Sequence, residues 1–145
     1  MRKILFRGKP SGNAGITDWV YGAFCPQNSK GNIPCIIVYN GKVAGHWFEV
    51  TPETVGQYTG LTDKNGTKIF EGDILRFSYT GKNHGVEGVA AVEFENGKFG
   101  VKWGWHKEFV PLDGFANTTI EVVGNIYDNP ELMGGEYKKC TLEKS

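Results

Sequence analysis

Residues 57–77 read QYTGLTDKNGTKIFEGDILRF. Two turn signals punctuate this run, Asp63-Lys64-Asn65-Gly66 and Glu71-Gly72-Asp73, and strand-like Ile74–Tyr79 follows at once. Asn-Gly between alternating arms is the strongest short-range hairpin signal, because both residues tolerate positive φ. Asn65 and Gly66 are therefore assigned to a tight turn. At the second turn Gly72 removes a Cβ where the chain bends, and Asp73 supplies a carboxylate that can fix the bend through a backbone N–H. The chemistry of this segment is architectural, and it predicts antiparallel β structure.

Downstream, Glu95-Asn96-Gly97-Lys98 repeats the signal. A two-residue loop at Asn96-Gly97 fixes the register. It pairs Phe94 with Phe99, Val92 with Val101 and Ala90 with Trp103, and predicts Phe94, Phe99, Val92 and Val101 buried on one face. The same register sets Trp105 opposite Gly88, lying across that glycine or exposed at the end of the sheet. Glu108–Leu112 reads as a short edge strand interrupted by Pro111, and Ile120–Tyr127 as a closing strand. Asp128-Asn129-Pro130-Glu131 starts a brief helical turn that ends at Gly134-Gly135, before a polar tail.

Upstream, Lys3–Arg7, Asp18–Phe24, Ile33–Tyr39 and Lys42–Val50 read as strands, with a turn at Asn40-Gly41. The opening cluster Arg2, Lys3, Arg7 and Lys9 reads as a solvated edge strand that blocks further sheet pairing. Thr51-Pro52-Glu53-Thr54 carries an N-cap, a first-turn proline and an acid. Gly56 limits it to a short connector, and a subdomain boundary is placed there, giving 1–56 as an N-terminal β subdomain.

The chain has 145 residues, with 21 Gly and 13% aromatic residues, a composition that favours a turn-rich β fold. Sixteen basic and sixteen acidic side chains balance. No whole-molecule field therefore draws it to polyanions, and any such binding needs a local patch. Cys25, Cys35 and Cys140 are odd in number and lack a C-x-x-C pattern, which together with the lack of an apolar leader predicts a reducing cytoplasm and no membrane.

Chemistry-bearing motifs are sparse. His46, His84 and His106 are scattered, and no ligand spacing predicts a metal or any other cofactor. No nucleophile signature is present, and Cys35 reads as a small buried apolar residue. Glu71 and Asp73 make a formal acid–base pair, but the turn role accounts for Asp73 more simply. Catalytic residues are thus expected to be none, and the chain is expected not to be an enzyme. The one constellation with a functional pattern is Lys102-Trp103-Gly104-Trp105-His106-Lys107. Basic and aromatic residues interleave there, as on surfaces that stack bases or receive peptides. Alternation turns Trp103 inward and leaves Lys102, Trp105, His106 and Lys107 as candidate binding residues.

Ile4–Lys9 (ILFRGK), Trp19–Gly22 (WVYG), Gln57–Ile74, Val92–Phe99 and Val122–Leu132 (VVGNIYDNPEL) together resemble the YopX family, small proteins of phages and prophages. Ser78–Val89 carries no family signature. The resemblance implies a mainly β fold in which residues 57–128 form an SH3-like barrel, joined to the N-terminal β subdomain and followed at 129–145 by a short helical turn and flexible tail. It brings no catalytic residues. It implies an accessory protein in the bacterial host cytoplasm, expected to work by protein interaction or self-association. Nucleic-acid binding through the local basic and aromatic patch is the alternative.

Overall fold

The structure is a computed structural model and describes residues 2–12, 18–27, 31, 33–39, 45–79 and 87–133. The expected Asn40-Gly41 turn, His84, Cys140, Gly134-Gly135 and the tail lie outside those residues. The chain divides into two compact units, Met1–Gly60 and Leu61–Ser145.

The first unit contains β1 (Phe6–Gly8), β2 (Val20–Cys25), β3 (Cys35–Val38), β4 (His46–Glu49) and the greater part of β5 (Gly56–Thr62). These strands lie in the order β4-β3-β2-β1-β5, antiparallel throughout. The edge-strand reading of the basic opening is corrected: β1 lies between β2 and β5. Arg7 is only 5% exposed. Its guanidinium stacks 4.5 Å from the Trp19 ring centroid, which gives the charge an aromatic face while its stem is buried. Cys35, Ile36 and Val50 are buried. After Val50 the chain makes a single 3-10 turn at Pro52–Thr54. Thr51 makes no side-chain cap there, contrary to the N-cap reading. Thr54 fastens this turn instead, its hydroxyl donating to the Thr51 carbonyl at 2.6 Å and accepting from Lys9 N–H at 2.9 Å.

The second unit holds β6 (Lys68–Phe70), β7 (Asp73–Tyr79), β8 (Glu87–Ala91), β9 (Glu93–Glu95), β10 (Lys98–Trp103), β11 (Glu108–Pro111) and β12 (Thr118–Asn125). Two three-stranded antiparallel sheets, β12-β7-β8 and β11-β10-β9, enclose one core. Leu75 and Phe77 from β7, Ala90 from β8, Val101 from β10, and Ile69, Val92 and Leu112 fill it. This is the SH3-like arrangement, with β8 and β9 as one segment bent at Val92 and shared between the sheets.

That bend corrects the predicted hairpin. Phe94 does oppose Phe99, their ring centroids 4.9 Å apart, but the ladder stops at Glu93 and Gly100. Val92 has turned to the other sheet: its N–H donates to the Asp73 carbonyl at 2.8 Å, and its carbonyl accepts from Gly72 N–H at 3.0 Å. The Val92–Val101 and Ala90–Trp103 pairs therefore do not form, although Val92, Val101 and Ala90 share the core. Phe94 lies beyond that core and is 53% exposed, while Phe99 is half-buried. A glycine secures the far end of β12. A Cβ on Gly124 would stand 2.6 Å from Asn129 Oδ1, the atom that accepts from Asn125 N–H at 3.2 Å.

Candidate functional site

β10 and β11 pair from Gly100–Pro111 out to Trp103–Glu108, so Gly104-Trp105-His106-Lys107 forms the tip of their hairpin. Gly104 at φ 83° and Lys107 at φ 50° turn the chain through left-handed conformations. Lys107 N–H closes the loop on the Gly104 carbonyl at 3.1 Å. Trp103, the last strand residue, packs inward, its ring 4.9 Å from Phe77 and 5.5 Å from Phe115. Trp105 goes the other way. It is 81% exposed at the hairpin tip, which excludes the alternative position across Gly88.

The structure thus brings Trp105, His106 and Lys107 together on one exposed tip. Lys102 is differently placed. Its ammonium is 2.8 Å from Glu95 Oε2 on the neighbouring strand and 5.7 Å from the Phe109 ring. The hydrogen bond it donates to Glu95, with Coulombic help from Glu95 and Glu93, holds its proton above the ordinary lysine range against the opposing effect of burial. The positive charge nearest the exposed indole along β10 is therefore already matched by an acid.

The turn carboxylates serve the backbone. Asp73, 2% exposed, accepts from Phe70 N–H at 2.7 Å beside Gly72 at φ 92°. Asp63, quoted above only as the first residue of its turn, does more than Asn65 or Gly66. Its Oδ1 accepts from Asn65 N–H at 2.8 Å and Thr67 N–H at 2.9 Å, and its Oδ2 accepts from Val122 N–H at 2.9 Å. Gly66 at φ 83° completes that turn, as Asn96 at φ 51° and Gly97 at φ 78° complete theirs. Burial opposes ionisation of Asp63, but the N–H donors of Val122, Thr67 and Asn65 outweigh it and hold the carboxyl below the usual range. The signal for this role was present in the sequence: an Asp opening a turn binds the N–H two residues on. Its third bond, to a strand distant in sequence, had no local signal. Among the described residues no group of three or more His, Cys, Asp or Glu is placed to hold a metal ion.

A second exposed aromatic set arises in the first unit. Register places Ala23 beside Ile37 and Ile37 beside Trp47, so these and Tyr21 share one sheet face. Trp47 and Tyr21 are both exposed on it. The partnership of Tyr21 with Trp47 rests on the strand order, which neither strand's own sequence carries.

Comparison with known proteins adds the following. The family described as YopX protein matches residues 6–134. The crystal structure of protein EF1440 from Enterococcus faecalis is similar at a TM-score of 0.55 and 22% identity, covering 92% of this chain and 99% of that one. The crystal structure of yopX from Bacillus subtilis is similar at a TM-score of 0.58 and 18% identity, covering 91% of this chain and 98% of that one. At these identities the two structures speak for the fold alone. None of the curated proteins matches. With the family match running through nearly the whole of both units, this chain belongs to the YopX family.

Proposed function

We propose that this chain is a non-catalytic interaction module that binds a protein partner, or a second copy of itself, through the Trp105 hairpin tip. The observation that carries the reading is the 81% exposure of Trp105 on a four-residue tip whose nearest strand lysine is matched by Glu95. Tryptophan is enriched among the few residues that dominate protein interfaces, where it fills a desolvated pocket on the partner. A single-strand groove needs the same aromatic surface but also cations to track the phosphates. Here Lys102 is engaged with Glu95 and the whole chain has zero formal net charge, so long-range attraction to a polyanion is weak. No described helix is long and apolar enough to cross a membrane. An accessory role for a phage or prophage protein in the host cytoplasm accords with the family resemblance.

The test is a titration of labelled single-stranded DNA and RNA at about 150 mM salt, where exposed charges act over only about 8 Å. The expected result is negligible binding by wild type and by Trp105→Ala alike. Tight binding that Trp105→Ala weakens by about 1–3 kcal/mol, with a steep salt dependence, would support the nucleic-acid reading instead.

A further inference from the structure

Cys25 ends β2 and Cys35 begins β3, and the register sets them directly opposite each other. Opposed residues on antiparallel strands stand about 4.5–5.5 Å apart at Cα and project to the same face. Disulfides span Cα separations of about 4.4–6.8 Å. Both cysteines are free thiols in this structure, Cys25 half-buried and Cys35 buried. Each thiol donates to a carbonyl of its own strand end or flanking loop, Cys25 Sγ to Gln27 at 2.8 Å and Cys35 Sγ to Ile33 at 3.6 Å. Neither bond holds its thiol strongly, since S–H is a weak donor.

We propose that Cys25 and Cys35 are a redox-sensitive pair that closes to a reversible cross-strand disulfide. The two thiols have distinct parts. Cys25, the more accessible, attacks one sulfur of a low-molecular-weight disulfide; a new S–S bond forms, the old one breaks, and the first small thiolate leaves and takes up a proton. Cys35, as thiolate, then attacks Cys25 Sγ and expels the second small thiol. The protein pair is oxidised by two electrons and the small disulfide is reduced to two thiols. Burial, then the nearby Glu49, pushes the Cys35 thiol up, which lowers its thiolate fraction and slows the resolving step. A bond held in sheet geometry and reached from a half-exposed sulfur belongs with the labile, regulatory disulfides rather than the permanent ones.

The experiment equilibrates the full chain, carrying Cys140→Ser to remove the third thiol, in mixtures of reduced and oxidised glutathione, followed by acid quench, alkylation and mass spectrometry. The expected product is a monomer lighter by two hydrogens, its Cys25 and Cys35 peptides joined, restored to dithiol by excess reduced glutathione. In Cys35→Ser the expected species is a glutathione adduct on Cys25. The inference is overturned if both cysteines stay alkylatable in every mixture, if only mixed or intermolecular disulfides accumulate, or if closure is not reversed by the reduced thiol. The first measurement keeps Cys25 and Cys35 native and changes only Cys140, so it does not depend on how Cys35→Ser folds.

Discussion

Phe77→Ala is expected to lower the unfolding free energy of the Leu61–Ser145 unit by about 3–5 kcal/mol, the usual cost of emptying a buried phenylalanine site. Phe77 is 1% exposed. It sits against Trp103 at 4.9 Å and Phe115 at 4.5 Å, so its removal takes a ring from the centre of an aromatic cluster as well as leaving a cavity. Urea denaturation of wild type and variant checks this. Phe94→Ala is the contrast, since Phe94 is mostly exposed beyond the core and its truncation is expected to change stability by less than about 1 kcal/mol. Equal losses at the two positions would contradict the assignment of the core.

The second large effect is expected at Asp63. One carboxylate there ties the Asp63–Thr67 turn to β12, through Asn65 and Thr67 N–H on one oxygen and Val122 N–H on the other. Asp63→Ala removes all of these acceptors. Asn65 and Thr67 lie in an exposed turn and regain water, whereas Val122 N–H belongs to a strand packed on the core. The expected cost is about 2–4 kcal/mol, from hydrogen bonds to a charged group and the donor left without one. Asp63→Asn keeps one oxygen for the turn but brings an amide toward Val122 N–H, so an intermediate loss is expected.

The pH dependence carries its own sign. The folded-state pKa of Asp63 is lowered, so its contribution is fully present above the unfolded value of about 3.9 and is lost as pH falls through the lower folded value. Wild type is therefore expected to lose stability more steeply than Asp63→Asn below about pH 4. Denaturation curves across that range decide it, and parallel profiles would contradict the role given to the carboxylate.

Much of the β organisation was legible because its signals are local. Asn-Gly at 96–97 sets Phe94 opposite Phe99 by loop length alone, and that pair is present. The same rule went wrong two residues further on, since Val92 leaves the hairpin to bond Gly72 and Asp73. A bend of this kind is decided by which sheet needs the residue, a tertiary demand that overrides local register. Arg7 shows the same limit: charge implied an edge, whereas Trp19 offered a stacking surface and β5 closed the second side. At the hairpin tip, alternation separated Trp103 from Trp105. Lys102 reaches Glu95 by a side-chain contact that the register, which sets Glu95 opposite Lys98, does not indicate, and with it went much of the expected basic character.

The most direct test of the interaction reading is nuclease-treated affinity capture from a bacterial lysate, with sedimentation of the purified chain to detect self-association, run in parallel on wild type and Trp105→Ala. Because Trp105 is 81% exposed, the variant is expected to keep the wild-type fold by circular dichroism. The account predicts that a defined protein partner, or a self-associated species, survives nuclease with wild type and is lost with Trp105→Ala. Recovery that disappears with nuclease, or association indifferent to Trp105→Ala, would contradict it.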